Sequence, residues 1–163
     1  MSTTLIGKHN PRLVEIRKTF EKGGLTADGL LPIEGFHLLE EAQRSDIEIA
    51  ELFLCEDAVN SVATQPTPKK IFVLSRSVFR SISETQSPQG VLALISPPQF
   101  DLDRVLNSKG PQNQMLVVLC GIQDPGNVGA IFRLAEAFGA TGCIATPGTA
   151  GRYNAKVVRA SAG

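Results

Sequence analysis

The run MLVVLCGIQDPGNVGAIFRLAEAFG, residues 115–139, decides the architecture of the C-terminal third of the chain. Met115, Leu116, Val117, Val118, Leu119 and Cys120 form a continuous apolar, partly β-branched segment, and Asp124, Pro125, Gly126 and Asn127 bring it to a stop. Such a segment predicts a buried parallel strand. Beyond the turn, apolar residues recur at Val128, Ile131, Phe132, Ala135 and Phe138, while Ala130, Leu134 and Ala137 cover much of the opposite side. This predicts a helix that is apolar nearly all round and buried on two faces. Asn127 stands where an N-cap belongs, and Gly139 where a left-handed residue closes a helix.

Arg133 and Glu136 are the only charges in those helical turns, three residues apart. Two readings stay open. One is a helix-surface ion pair worth about 0.2–0.5 kcal/mol. The other is a guanidinium beside a helix start, offering paired donors to a phosphate near the free N–H groups of the first turn.

The wider chain sets limits on function. Its 163 residues are 42% hydrophobic, enough for one full domain or a small domain plus part of another. No stretch approaches the roughly 18 uninterrupted apolar residues of a membrane span, and the opening MSTTLIGKHNPR lacks the apolar core of a signal peptide. A soluble intracellular protein with no membrane partner is expected. Cys55, Cys120 and Cys143 are odd in number, widely spaced and set in apolar runs, which predicts reduced core thiols and no metal site.

Net charge is zero, with 16 basic and 16 acidic residues, but the charges are segregated. Residues 34–57 hold eight acids and one base, Arg44, whereas Lys69, Lys70, Arg76 and Arg80 lie in a stretch without an acid. The first 22 residues hold five bases against two acids, and residues 104–163 hold six against two. Segregation leaves room for a basic face despite the neutral total.

The first hundred residues predict a separate α/β unit. Asn10-Pro11 opens a helix with Leu13, Ile16 and Phe20 on one stripe, and Gly23-Gly24 closes it. A strand is expected at 29–33, then a helix carrying Phe36, Leu38, Leu39 and Ala42. Further strands are expected at 51–55, 71–74 and 91–95, with short helices near 57–63 and 75–82. Strands alternating with helices imply a layered α/β sheet. Pro97-Pro98 ends this unit, and the polar run at 107–114 reads as a linker. The domain division is therefore 1–98, a linker at 99–113, and 114–163.

These residues carry a resemblance. The run Asp124-Pro125-Gly126-Asn127-Val128-Gly129-Ala130-Ile131-Phe132-Arg133, followed by Ala135 to Gly139, resembles the first motif of the SpoU (TrmH-like) RNA 2′-O-ribose methyltransferases of the SPOUT superfamily. Lys156 to Gly163, KVVRASAG, is similar to the next helix of that family. Asn10-Pro11, Ile33-Glu34-Gly35 and the run from Ser87 to Ala93 resemble the family's small substrate-binding domain, which is L30e-like in fold. The implied fold is α/β: an L30e-like domain at 1–98, then the N-terminal part of a SPOUT α/β knot domain.

The resemblance implies methyl transfer from S-adenosylmethionine to a ribose 2′-hydroxyl of ribosomal or transfer RNA, by a cytoplasmic homodimer. It assigns the motif asparagine and arginine, here Asn127 and Arg133, to the active site as catalytic residues. Arginine is a poor base, with a pKa above about 12. Its expected role is to clamp a phosphate and stabilise a developing alkoxide. Lys69, Lys70, Arg76 and Arg159 are the candidate RNA contacts, with a plain helix-surface role equally open for Arg159. In the family the methyl donor is held by a later glutamate loop and a Ser-Leu-Asn region that form the knot, and this chain stops at Gly163 before both. An inactive truncated form is the expectation, with an uncovered apolar face and an unpaired strand edge. A non-catalytic RNA-binding module is the alternative.

Several single residues predict no chemistry. His9 and His37 have no nearby nucleophile pattern, and Glu40-Glu41 reads as a solvated helix face. Pro66-Thr67-Pro68-Lys69-Lys70 is a loop before a strand or an RNA phosphate contact. The loop Thr146 to Arg152 contains glycines without a GxGxxG spacing.

Overall fold

The computed structural model describes residues 3–5, 7–62, 68–100, 102–107 and 115–163. The chain divides into two compact units, Met1–Pro97 and Pro98–Gly163. Most of the polar run at 107–114, and Pro66-Thr67 of the Pro-Lys loop, lie outside the described residues.

The first unit is a five-stranded mixed sheet with helices packed on it. In chain order it comprises β1 (Thr3–Leu5), α1 (Pro11–Lys22), β2 (Leu31–Glu34), α2 (Phe36–Arg44) and β3 (Ile49–Cys55). A 3-10 turn (Glu56–Ser61), β4 (Lys70–Leu74), α3 (Arg76–Arg80) and β5 (Val91–Ile95) follow. The strand order is β1-β4-β3-β5-β2. β1 and β3 both run parallel to β4, while β5 is antiparallel to β3 and β2. Pro32 is tolerated because β2 is an edge strand, where a missing N–H donor costs least.

Local sequence explains most of these elements. The Asn10 side chain accepts from the Arg12 N–H at 2.9 Å, Pro11 fills the first helical turn of α1, and Gly23 closes it with φ 66°. Leu13 and Ile16 are fully buried, Phe20 is half-buried, and Thr19 completes the inward face by donating its hydroxyl to the Glu15 carbonyl. β5 is buried at all five positions, so both faces of the sheet are covered there. Phe53 and Phe79, at 0% and 2% exposure, each contribute about 1.5–3 kcal/mol of burial. Two elements escaped the sequence reading. β1 is three residues long, and a helix, α4 (Leu102–Asn107), lies within the stretch expected to be linker.

A charged bracket ties α1 to the sheet. Arg12 donates from Nε to Glu51 at 2.9 Å, from Nη1 to Glu15 at 2.7 Å, and from both terminal nitrogens to Asp28 at 3.1 and 2.9 Å. Burial works against the Arg12 charge, but the hydrogen bonds to Asp28, Glu51 and Glu15 outweigh it and push its pKa up. The Arg12 hydrogen bond, reinforced by Thr26, holds Asp28 down at about 2. Because the folded pKa lies below the unfolded one, Asp28 stabilises the fold fully above about pH 5, and that contribution fades as pH falls toward 2. Asp28→Asn should therefore lower Tm at pH 7, with the gap to wild type closing between pH 5 and 2 in a circular-dichroism melt series.

The second unit contains α4, β6 (Leu116–Leu119), α5 (Pro125–Ala137), β7 (Gly142–Ala145) and α6 (Ala155–Ser161). β6 and β7 pair in parallel, from Leu116 opposite Gly142 to Leu119 opposite Ala145. Leu119, Val128 and Val157 form the buried cluster, with Val117, Ile122, Ile131, Phe132, Cys143 and Ala150 packed against it.

Three expectations are corrected here. The strand is open on one side, since Val118 is 55% exposed, and α5 is buried on one face only, since Leu134 and Phe138 are 53% and 78% exposed. Cys120 is an exposed thiol, while Cys55 is buried and Cys143 intermediate; all three are free. Burial pushes the Cys143 thiol above its ordinary pKa.

Candidate functional site

The start of α5 is built by Asp124, and the expectation of an Asn127 cap is overturned. The Asp124 carboxylate accepts from the Asn127 N–H at 2.8 Å, and Pro125 occupies the first turn. Proline prefers the first helical position because it lacks the donor that would be unpaired there, so the cap falls one residue before it. Asn127 lies inside the first turn with its side chain exposed. The hydrogen bond from the Asn127 backbone, helped by Lys156, holds the Asp124 carboxyl below its usual range. Gly139 does close the helix, with φ 73° just beyond the Phe138 cap.

α6 crosses directly against this helix. A Cβ on Gly129 would lie 2.4 Å from the Val157 carbonyl, 2.6 Å from the Ala160 Cβ and 2.9 Å from the Ser161 nitrogen. Lys156 reaches Asp124 at 3.6 Å, and the Asn154 side chain caps α6 by accepting from the Lys156 N–H. The loop after β7 is tied to the loop after β6. The Thr146 N–H and Thr149 hydroxyl donate to the Leu119 carbonyl, and the Ala150 N–H donates to Ile122. The starts of both helices therefore share one rim with the C-terminal ends of both strands, the edge at which open α/β sheets place their ligands.

Arg133 stands on α5 as an exposed residue, and no ion pair or hydrogen bond among the described residues engages it. The Arg133–Glu136 ion pair is not formed. Six residues separate Asn127 from Arg133, about 9 Å along the axis and about 120° around it. The two expected site residues thus share a helix but not a face. Gly126 and Gly129 are the α5 positions beneath Arg133, seven and four residues back.

The other expected RNA contacts are dispersed. Lys69 pairs with Glu48, and Lys70 lies 3.8 Å from Glu51. Arg76 pairs with Asp57 at 2.6 Å, past the opposite end of β4. The strand between them, Lys70–Leu74, is about 13 Å long at about 3.3 Å per residue. Arg159 is half-buried in the last turn of α6.

Sequence reading missed a cleft of about 480 Å³ in the first unit, lined in part by Phe36, Cys55, Arg76, Phe79, Arg80 and Gln89. Gln89 shapes it by accepting from the Phe36 N–H at 3.0 Å, which caps α2. Glu34, 6% exposed, holds the loop that carries Gln89: it accepts from the Ser83 and Thr85 hydroxyls at 2.5 and 2.6 Å and from the Glu84 N–H at 2.9 Å. Both bridges span about fifty residues of sequence, so no local pattern announced them. Arg80 is exposed at the rim, and no ion pair among the described residues engages it. Among the described residues no group of three or more His, Cys, Asp or Glu could hold a metal ion, and no helix is long and apolar enough to cross a membrane.

The described residues do not by themselves fit a methyl donor. Cys120, Gly121, Gln123, Pro147, Gly148 and Gly151 are all exposed along the rim, which is an open surface without an enclosing apolar wall for an adenosyl group.

The AdoMet-bound rRNA methyltransferase from Sinorhizobium meliloti shares the fold, with a TM-score of 0.79 at 24% identity over 98% of this chain and 60% of its own. Residues 10–93 match the MRM3-like substrate binding domain, and residues 114–163 match the SpoU rRNA methylase family. The first match takes in more than half of the chain, which therefore belongs to the family of MRM3-like substrate binding domains, and its C-terminal part is similar to the SpoU rRNA methylases. The chain is 29% identical over 154 residues to the 23S rRNA (guanosine(2553)-2′-O)-methyltransferase RlmP of Bacillus subtilis, covering 94% of this chain and 58% of that protein. It is 27% identical to the 23S rRNA (guanosine-2′-O-)-methyltransferase RlmB of Photobacterium profundum, covering 80% of this chain and 57% of the relative. The chain therefore spans less than two thirds of the length of these relatives.

Gly129→Ala tests the helix crossing. Alanine gains about 1 kcal/mol of helix propensity over glycine, but a contact at 2.4 Å to a backbone carbonyl forces α5 and α6 apart, a cost of about 1–3 kcal/mol or more. Net loss is expected, read as lower amide-exchange protection in α5 and α6. Gly126→Ala should cost less than Gly129→Ala but not nothing, since its Cβ would press at 3.0 Å on the Asp124 oxygen that caps α5, a side-chain atom that can give where a backbone carbonyl cannot.

Proposed function

We propose that this chain forms the RNA-recognition part and the opening of the catalytic domain of an S-adenosylmethionine-dependent RNA 2′-O-ribose methyltransferase. Ribosomal RNA is the favoured substrate, because two relatives matched over most of this chain are named for that reaction on 23S rRNA, while others are named for transfer or ribosomal RNA. The observation that carries this reading is Arg133: an exposed guanidinium with no partner among the described residues, set in the ten-residue run that resembles the family's first motif. An arginine retained in that register and held free of Glu136 is available to an incoming phosphate.

The residues present account for the RNA side of the reaction. Arg133 would hold the phosphate beside the target ribose and stabilise negative charge developing on its 2′-oxygen; with a pKa above about 12 it does not take the proton. Asn127 would contribute donors at the first turn of α5. The first unit would dock structured RNA, with Arg80 and Arg76 at the mouth of its cleft. The methyl donor supplies the transferred group when bound, and its binding is assigned to residues beyond those described. A homodimer and a cytoplasmic location complete the reading, the former supported by the exposed Val118, Leu134 and Phe138 of the second unit. A non-catalytic RNA-binding module is the second reading, favoured for these 163 residues alone by the open rim.

Two measurements test it. Fluorescence anisotropy of this chain with a 23S rRNA stem-loop should show salt-dependent binding, and Arg133→Gln should lower the salt slope by about 0.7–0.9. Calorimetry of the same chain with S-adenosylmethionine should give no heat of binding. In the product of the complete reading frame, Arg133→Gln should cut methyl transfer to ribose by about 10²- to 10³-fold. An unaltered rate there sinks the catalytic role of Arg133, and the absence of a methyltransferase reading frame leaves only the binding module.

A further inference from the structure

The turn that leads into α6 carries a half-buried aromatic and an exposed cation, a pair that the reading above does not use. The Asn154 N–H donates to the Gly151 carbonyl at 2.9 Å, which places Arg152 and Tyr153 at the two central positions of a tight turn. The Arg152 guanidinium lies 4.8 Å from the centre of the Tyr153 ring. Arg152 is exposed, Tyr153 is half-buried, and no carboxylate among the described residues pairs with the guanidinium.

The turn is held firmly at both ends. Upstream, the Ala150 N–H is bonded to the Ile122 carbonyl at 2.8 Å, and Thr149 to that of Leu119 at 3.1 Å. Downstream, Asn154 caps α6, whose Ala155 and Val157 are buried. The pair therefore projects from a fixed base on the rim where α5 also begins. The charge there is positive: Asp124 is already matched by Lys156.

We propose that the Gly151–Asn154 turn is a nucleotide-stacking platform. An unpaired base of the RNA lies against the Arg152–Tyr153 pair, and the Arg152 guanidinium meets the adjoining phosphate. Aromatic rings give bases a sequence-tolerant face, and arginine adds both cation–π contact and phosphate charge. The adenine of the methyl donor offers the same ring chemistry, but the donor is a net cation, its carboxylate offsetting only one of its sulfonium and ammonium charges, and it brings no phosphate for Arg152. RNA is therefore the assigned source. This proposal rests on the RNA reading of the previous section.

Tyr153 is the single tyrosine of the chain. The intact protein labelled with ¹³C-tyrosine thus gives one ring spin system, which reports on this turn alone. A short single-stranded RNA should shift those ring protons upfield, and the same sequence in a duplex should shift them less. By anisotropy with the fluorescein-labelled strand, Tyr153→Leu should weaken binding about tenfold, whereas Tyr153→Phe should stay within about twofold of wild type. Arg152→Gln, at an exposed site that does not bear on folding, should lower the salt slope by about 0.7. Binding with the ring signals unmoved and Tyr153→Leu unchanged overturns the platform and leaves the RNA reading standing. A ring shift produced by S-adenosylmethionine alone overturns the assignment to RNA. Failure of the wild-type chain to bind either RNA overturns the RNA reading and the platform with it.

Discussion

The close passage of α6 over Gly129 is the constraint on which the second unit depends. Among the described residues of that unit the buried cluster is Leu119, Val128 and Val157, a small apolar centre over which two helices are brought to backbone contact. Any side chain at position 129 would hold α6 off. The same approach carries Lys156 to the Asp124 cap and sets the Arg152–Tyr153 turn on the rim. One missing Cβ therefore lets α6 bring Lys156 to the cap at Asp124, distant from it in the sequence.

The first unit solves a different problem. Its sheet is well buried, and what needs fixing is where helices and loops sit on it. Two carboxylates do this. Glu51 receives Arg12 from α1, and Glu34 receives the Ser83–Thr85 segment. Burying a lone carboxylate costs several kcal/mol, so such groups persist only where their oxygens are well supplied with donors. Glu34 accepts from two hydroxyls and backbone N–H groups, and that supply orients the loop so that Gln89 can cap α2. A polar interaction of modest net energy thus determines the shape of the cleft.

Helices α1 and α2 and strands β3 to β5 were legible within two residues because their signals are local: caps, apolar stripes and β-branched runs. The start of α5 was placed three residues late, with Asn127 as its cap, because the decisive signal is Pro125, which takes the first helical position and puts the cap at Asp124. β1 was not legible, because a three-residue strand carries no periodicity and is recruited by the edge of β4. The exposed side of α5 was misread for a related reason. Apolar composition all round a helix says that both faces can be covered, not that both are covered within the residues at hand. For the candidate site, the family motif pointed to Arg133, which the structure leaves exposed, and Tyr153 stood just past the glycine loop that drew attention. Its role depends on the Asn154–Gly151 bond and the anchoring to Leu119 and Ile122, which are properties of the fold.

The charge pattern gains a sharper meaning once partners are known. A count of bases in an acid-free stretch pointed to Lys69, Lys70 and Arg76, yet each of these faces a carboxylate supplied from the acidic stretch at 34–57. The segregation along the sequence is folded back on itself, so those cations are largely spent on holding β4 and α3 against their neighbours. Neutralising a phosphate releases counterions only if the cation is not already matched. By that criterion Arg80, Arg133 and Arg152, exposed and unmatched among the described residues, weigh more than the denser basic run. A chain of zero net charge can hold a polyanion when the pairing of its acids leaves a few well-placed guanidinium groups over, and here two of those three, Arg133 and Arg152, stand on the second unit.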